Sequence, residues 1–270
     1  MMDHLNLVNP VVEIARKAAE KIMQIYLQKD PIRVEKKANQ TPLTEADILS
    51  NNIIVPALKA LTPDYPVLSE EGEQFDYNIR KNWTTYWLID PLDGTREFIH
   101  KTDDFCVNIA LIQDFTPVLG VVFSPVAKTC YTGCLGHSAI FRNAEGDEQT
   151  ITTSPWPDAN PVRVILSRHA KTDTLAKFFE NIGRHEVKVQ GSGLKFCSIA
   201  KGAAEIYPRL GPISEWDTAA GQCILECAGG AVFDFEGNSL QYNTKDDLLQ
   251  PSFWAVSNKE AALKILQHWR

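Results

Sequence analysis

Trp87-Leu88-Ile89-Asp90-Pro91-Leu92-Asp93-Gly94-Thr95 is the stretch on which the reading of this chain turns. Three apolar residues lead into two carboxylates, with a backbone carbonyl between them and a hydroxyl just after. A strand that ends in this way offers hard oxygen donors, the kind that divalent cations take. The glycine and threonine that close the stretch are suited to hold a phosphate against such cations.

Upstream of this stretch, Pro66-Val67-Leu68-Ser69 is an extended run ending in Glu70-Glu71. Further back, Val12, Ala15, Ala19, Ile22, Met23 and Tyr26 recur at helical spacing and predict a helix over 11–27. After a turn at Asp30-Pro31, a second helix is predicted over 44–61, kinked at Pro56. The polar segment 36–40 between the two helices predicts a mobile loop. Downstream, strand-like runs at 86–89, 107–112, 118–123 and 139–142 read as an antiparallel meander. The Ser/Pro/Asp-rich segment 152–161 marks a boundary, dividing the chain into halves 1–155 and 156–270. In the second half, strands at 162–166, 187–189, 204–207, 231–235 and 253–256 alternate with helices at 171–182, 194–201, 218–227 and 259–269. Such alternation predicts a layered α/β unit.

The bulk numbers remove several classes. At 270 residues, 44% hydrophobic and 23% charged, the chain reads as an ordinary globular protein with a full core. A net charge of −7 argues against a nucleic-acid binder. Metals can still reverse the local potential for an anionic substrate. The first ten residues show no secretory pattern, and no apolar run approaches the ~18 residues that span a bilayer. The six cysteines lack zinc-knuckle spacing, and Cys223 and Cys227 read as thiols of an Ala-rich helix, so a reduced cytoplasmic protein is expected. Peripheral attachment to the inner membrane, and the choice between monomer and homodimer, stay open. The histidines form no His-Glu-x-x-His pattern, and neither a Walker loop nor a dinucleotide fingerprint is present.

Four acidic sites stand where chemistry could use them: Glu70-Glu71, the pair Asp90 and Asp93, Asp217 in Trp216-Asp217-Thr218-Ala219-Ala220-Gly221, and Asp47 in Thr44-Glu45-Ala46-Asp47. Each also has a bland explanation. Asp217 could be an N-cap, Thr44-x-x-Asp47 a capping box, Asp93-Gly94 a turn, and Glu70-Glu71 a solvated pair. Spacing by itself does not make them converge.

The two segments 90–95 and 216–221 resemble the paired signatures of the inositol monophosphatase superfamily of metal-dependent, lithium-sensitive phosphatases, in the right order and along nearly the whole chain. Within it, Leu61-Thr62-Pro63-Asp64, Pro66–Glu71, Tyr86–Ile89, Glu97-Phe98-Ile99 and Leu194-Lys195-Phe196-Cys197 are similar to the bacterial bisphosphate nucleotidase branch. The resemblance implies an αβαβα sandwich, with an antiparallel sheet in the N-terminal half and an α/β C-terminal half. It implies two or three Mg²⁺ ions. Glu70, Asp90 and the Leu92 carbonyl would hold the first, and Asp90, Asp93 and Asp217 the second. Asp47 would act through water near a further metal position, and Glu71 would have a supporting role. Thr95 paired with Asp47 would orient and activate the attacking water, with Glu70 part of the catalytic set. Gly94 and Thr95 would turn backbone N–H groups at a helix start toward phosphate oxygens, the glycine sparing the anion a Cβ.

Substrate choice falls to the second half. Gly191-Ser192-Gly193-Leu194-Lys195 sets small residues before a helix, a surface for a sugar or second phosphate, with Ser192 and Lys195 as contacts. The related nucleotidases usually carry a serine where this chain has Gly193. Tyr207-Pro208-Arg209 ends a strand, so Arg209 or Tyr207 could reach a nucleotide; a surface charge or structural ion pair is the competing reading of Lys195 and Arg209. The activity implied is hydrolysis of the 3′-phosphate of adenosine 3′,5′-bisphosphate (PAP), and of its sulfated analogue PAPS, in the clearance of a by-product of sulfate assimilation. The alternatives are inositol monophosphatase or fructose-1,6-bisphosphatase activity, or a non-catalytic nucleotide-binding regulator.

Overall fold

A computed structural model describes residues 4–29, 32–36, 42–73, 75–157, 160–168, 170 and 175–266. Helix α1 (Leu5–Tyr26) buries Val12, Ala15, Ala19, Ile22 and Tyr26, as the spacing predicts. It begins six residues before the expected start and runs through Pro10, because Leu7 and Val8 pack against the same core. The short hairpin β1 (Val34–Lys36) and β2 (Pro42–Thr44) leads into α2 (Glu45–Leu61), which continues through Pro56. Most of the 36–40 segment expected to be mobile lies outside the described residues.

The next elements are β3 (Val67–Ser69), α3 (Tyr77–Arg80), β4 (Thr85–Asp93), α4 (Thr95–Ile99), β5 (Cys106–Gln113), β6 (Thr116–Ser124), β7 (Thr129–Cys134), β8 (Ile140–Arg142) and β9 (Glu148–Thr150). They form a seven-stranded sheet in the order β3-β4-β5-β6-β7-β8-β9. The expected meander is there, but it is longer by β7 and β9, and β3 joins it in parallel with β4. Sequence pattern alone underweights these short strands, which carry small and polar residues.

The second half contains β10 (Val162–Leu166), α5 (Ala176–Ile182), β11 (His185–Val189), α6 (Leu194–Ala200), β12 (Ile206–Arg209), β13 (Ile213–Ser214), α7 (Ala219–Cys227), β14 (Ala231–Asp234), β15 (Leu249–Gln250), β16 (Phe253–Val256) and α8 (Lys259–Leu266). Five of these strands make a mixed sheet, β11-β10-β12-β16-β14, parallel on the β11–β12 side and antiparallel beyond it. The predicted helices at 171–182 and 259–269 extend in part beyond the described residues.

Alternation along each strand sorts the core into layers. Trp87, Ile89, Val107, Ile109, Leu119 and Val121 face α1 and α2. Tyr86, Leu88, Ala110, Ile112 and Val122 face the opposite way, onto Phe196, Ile199, Ala220 and Ile224 of α6 and α7. That same central layer receives Ile165, Tyr207, Val232 and Phe253 from the second sheet. The outer face of the second sheet, with Val164, Ile206 and Trp254, packs on Phe178 of α5 and Ala262 of α8. The order is α, β, α, β, α. Close approach in the middle depends on two glycines. A Cβ at Gly120 would lie 2.5 Å from the Ala220 carbonyl oxygen, and one at Gly133 would lie 2.8 Å from Ile224 Cα. Helix α7, and the turn carrying Asp217 before it, are thereby pressed onto the first sheet. Among the described residues no helix is long and apolar enough to cross a membrane, and all six cysteines are free, five of them buried.

Candidate active site

The stretch 87–95 is a strand with a bulge in it. Strand β4 pairs regularly with β5 through Asp90, opposite Asn108, and then slips before Asp93 pairs with Cys106. A bulge breaks the alternation of side chains, so Asp90, the Leu92 carbonyl and Asp93 can all line one cavity. An Asx turn, Leu92 N–H to Asp90 Oδ1 at 3.0 Å, fixes the bend. Ser50 Oγ of α2 donates to the Pro91 carbonyl at 2.7 Å and ties it down. The predicted strand stopped at Ile89, since Pro91 and Gly94 look like strand breakers; the bulge accommodates the proline.

Gly94 follows with φ +95° and serves as N-cap of α4. A Cβ there would lie 3.0 Å from the Asp104 carbonyl oxygen and 3.3 Å from Phe105 Cα. The glycine is therefore required by backbone conformation and by packing, and not only by room for an anion.

Glu70 extends the ladder of β3, its N–H reaching the Ile89 carbonyl at 3.1 Å. Asp217 sits in a 3₁₀ turn, Glu215–Asp217, ahead of α7, while Thr218 occupies the N-cap position. The capping explanation of Asp217 therefore falls. These remote segments meet: one carboxylate oxygen each from Glu70, Asp90 and Asp217 lie within 4.8 Å of one another. Burial, then the charges of Glu70, Asp93 and Asp217, push Asp90 well above the usual carboxylate range. Asp217 is raised too, by burial first and then by Asp93 and Glu70. Carboxylates packed so closely cannot all ionise alone. A divalent cation with oxygen ligands fits both the donor set and the charge conflict.

Asp93 stands apart from that trio. Its Oδ2 accepts from Gly193 N at 2.6 Å and Asn108 Nδ2 at 2.9 Å. Burial raises its pKa, while Lys195, Asn108 and Gly193 pull it back. The Gly193 N–H is spent on Asp93 and does not offer itself to a substrate, as the small-residue run had suggested.

Asp47 occupies the third position of α2, and its Oδ2 accepts from Thr44 N at 2.8 Å and Thr44 Oγ1 at 2.5 Å. The capping box is real, yet it leaves the other oxygen in use: Thr95 Oγ1 donates to Asp47 Oδ1 at 3.1 Å. The same hydroxyl lies 3.4 Å from the Leu92 carbonyl. One aspartate thus caps a helix and holds the threonine beside the acidic cluster.

Except for Asp47, which stands behind Thr95, these groups line a cavity of about 720 Å³, in the range of small-molecule sites. Glu70, Asp90, Leu92, Asp93, Gly94, Thr95 and Asp217 line it, and so do Ser192, Lys195 and Arg209. Lys195, nearly buried, donates from Nζ to the Ser192 carbonyl at 2.5 Å and lies over the Tyr207 ring at 5.2 Å. The Ser192 hydroxyl and Arg209 Nε are buried without a hydrogen-bond partner. Tyr207 is fully buried, its hydroxyl 3.3 Å from Ser167 Oγ. It supports Lys195 from below and does not reach the cavity, so of the two expected nucleotide contacts only Arg209 lines it.

Two residues escaped the sequence reading. Arg168 lines the cavity and pairs with Asp104 at 2.7 Å and Glu97 at 3.8 Å. Its signal was its place just past the C-terminal end of β10, where α/β sheets bind ligands. Asn108 holds Asp93, and its signal was a polar residue inside the apolar run 107–112.

The chain is similar to known proteins along most of its length. The inositol monophosphatase family matches residues 3–270. The 3′(2′),5′-bisphosphate nucleotidase CysQ of Salmonella typhimurium is 42% identical over 243 residues, 90% of this chain and 96% of that protein. The Escherichia coli K12 protein of the same name is 40% identical over 247 residues, 92% of this chain and 98% of that protein. Among solved structures, CysQ from Bacteroides thetaiotaomicron superposes with a TM-score of 0.81 at 35% identity, covering 94% of this chain and 97% of that one.

Proposed function

The chain belongs to the inositol monophosphatase family, and from that membership we propose that it is a metal-dependent 3′(2′),5′-bisphosphate nucleotidase. Its substrate in this reading is PAP, with PAPS also accepted, and its products are AMP (or adenosine 5′-phosphosulfate) and phosphate. The observation that carries the proposal is the tight Glu70, Asp90 and Asp217 cluster in one cavity that Lys195, Arg168 and Arg209 also line. The acids suit cations and a transferred phosphoryl group; the bases suit a second phosphate.

Bound Mg²⁺, two or three ions, would supply charge neutralisation and an acidified water. Glu70, Asp90 and the Leu92 carbonyl would hold one ion, and Asp90, Asp93 and Asp217 a second. Asp47 accepts the Thr95 hydroxyl proton, so Thr95 Oγ1 can in turn accept a proton from the attacking water and align it. The N–H groups of Gly94 and Thr95 face the phosphoryl oxygens. Ser192, Lys195 and Arg209 take the nucleotide, and Ile213, Trp216, Pro208 and Leu210 give the nucleoside an apolar wall. In this reading residues 1–155 supply most of the metal ligands, and residues 156–270 supply Asp217 and substrate choice. The reaction belongs in the reducing cytoplasm, in the recycling of a nucleotide by-product of sulfate assimilation.

The test is turnover of PAP, PAPS, inositol 1-phosphate and fructose 1,6-bisphosphate with and without Mg²⁺. Mg²⁺-dependent preference for PAP is expected. Preference for the inositol or sugar ester would overturn the nucleotidase assignment, and tight PAP binding with no phosphate release would turn it into a regulator.

A further inference from the structure

Asn108 is 1% exposed in the middle of β5, directly opposite Asp90 on β4. A buried amide in an apolar strand is unfavourable unless both its ends are satisfied, and here they are satisfied by different chemistry. Its Nδ2 donates to Asp93 Oδ2 at 2.9 Å, and its Oδ1 accepts from the Cys106 thiol at 3.2 Å. A carboxylate only accepts, and a thiol donates, so the amide has one workable orientation. Gly193 adds a second donor to the same Asp93 oxygen at 2.6 Å. It also leaves the amide its place: a Cβ on residue 193 would come within 2.8 Å of Asn108 Oδ1.

We propose that Asn108 is a positioning residue for a cation site: with Gly193 it pins Asp93 by Oδ2, turning Oδ1 toward the cation shared with Asp90 and Asp217. The inference rests on the metal-dependent reading above. Asp93 lies outside the tight trio of Glu70, Asp90 and Asp217, and the hydrogen bonds that hold its Oδ2 come from Asn108 and Gly193. Cys106 keeps the amide from flipping, and its thiol also lies 3.9 Å from the same Asp93 oxygen. Hydrogen-bond partners of metal ligands are typically worth ~10–100-fold in metal affinity.

The test compares wild type, Asn108→Ala and Cys106→Ala by Mn²⁺ binding in the presence of phosphate, read by electron paramagnetic resonance, together with the Mg²⁺ dependence of PAP turnover and thermal melting. Asn108→Ala should weaken one class of Mn²⁺ site by ~10–100-fold and raise half-saturating Mg²⁺ in parallel. KM for PAP at saturating Mg²⁺ should stay unchanged, which a merely structural defect would not achieve. Cys106→Ala should shift the same quantities in the same direction by roughly threefold. It removes only a thiol, so it carries the comparison if Asn108→Ala does not fold. Wild-type Mn²⁺ affinities in folded variants, or a defect in KM at saturating Mg²⁺, would overturn the role of Asn108 alone. A wild type that binds no Mn²⁺ and needs no metal for turnover would take the functional reading down with it.

Discussion

Replacing Asp90 by Asn separates the proposed metal-holding role of the cluster from any role in folding. Oxygens of Glu70, Asp90 and Asp217 lie within 4.8 Å of one another. Two ionised carboxylates at that distance repel by about 3.5 kcal/mol at an effective dielectric of 20. Asp90 belongs to two such pairs and is the most deeply buried member, 2% exposed, so burial and the neighbouring charges favour its neutral acid in the metal-free protein. Asn has nearly the shape of that neutral acid. Metal-free Asp90→Asn should therefore melt at or slightly above the wild-type temperature. The difference should emerge on adding Mg²⁺. At a hundred times its Kd, a ligand stabilises by about 2.7 kcal/mol, which for a domain of this size is roughly 5–10 °C. The wild type should show that rise and Asp90→Asn almost none, with turnover of PAP down by ~10³-fold or more. The assay is thermal melting with titrated Mg²⁺ alongside phosphate release. An Asn variant that keeps both the Mg²⁺-induced rise and the turnover would refute the assignment of Asp90 as a metal ligand. One that unfolds without metal would refute the claim that its charge is a burden to the fold.

Thr95→Ala should lower kcat by ~10²-fold while leaving KM for PAP nearly unchanged, because it removes the hydroxyl that donates to Asp47 and that the proposed function sets against the attacking water; wild-type kcat in steady-state assays would exclude that role. Glu215, buried beside the Asn243 backbone, is pushed up to about 7, mainly by burial. The folded state thus keeps a proton that the unfolded chain, titrating at ~4.3, releases, and stability falls as pH rises from about 4.3 to 7 by about 4 kcal/mol. Glu215→Gln should remove that part of the slope, seen as a melting-temperature gap over wild type that widens from pH 5 to pH 8; a constant gap would contradict it. Gly120→Ala would set a methyl 2.5 Å from the Ala220 carbonyl, so a loss of about 1–3 kcal/mol and a melting temperature lower by roughly 3–10 °C are expected. A melting temperature matching wild type would mean that α7 is not pressed against β6.

Much of this was legible locally. Helices α1 and α2, β10 and β16 follow from apolar period and breakers, and the hexapeptide 90–95 announces oxygen chemistry by composition alone. The Thr44–Asp47 capping box was readable too, though its bland explanation and its functional one proved compatible, since the two oxygens of Asp47 serve different partners. Strands β7 and β9 were missed because Thr129–Cys134 is mostly small and polar and Glu148–Thr150 is three polar residues, so neither carries a periodic signal. Tyr207 was misjudged for a different reason: its position at a strand end suggests access, whereas the aromatic packing of Phe196 and Phe253 encloses it.

By itself the sequence determined which residue types are available and how each segment bends: two acids around a carbonyl, a glycine where φ is +95°, and an aspartate beside the turn before α7. Only the tertiary structure decided which of them meet. The Asp93 to Gly193 hydrogen bond spans 100 residues, and the Asp90 to Asn108 register exists only once β4 lies on β5. Local propensity acts over a few residues, while convergence on one cavity depends on strand register, a bulge and the stacking of five layers. Those are set by packing of the whole chain, and so the chemistry of the stretch at 90–95 could be read in the sequence, while Asn108 and Arg168 stood out there only as a polar residue in an apolar run and a residue past a strand end, with no sign of what they meet.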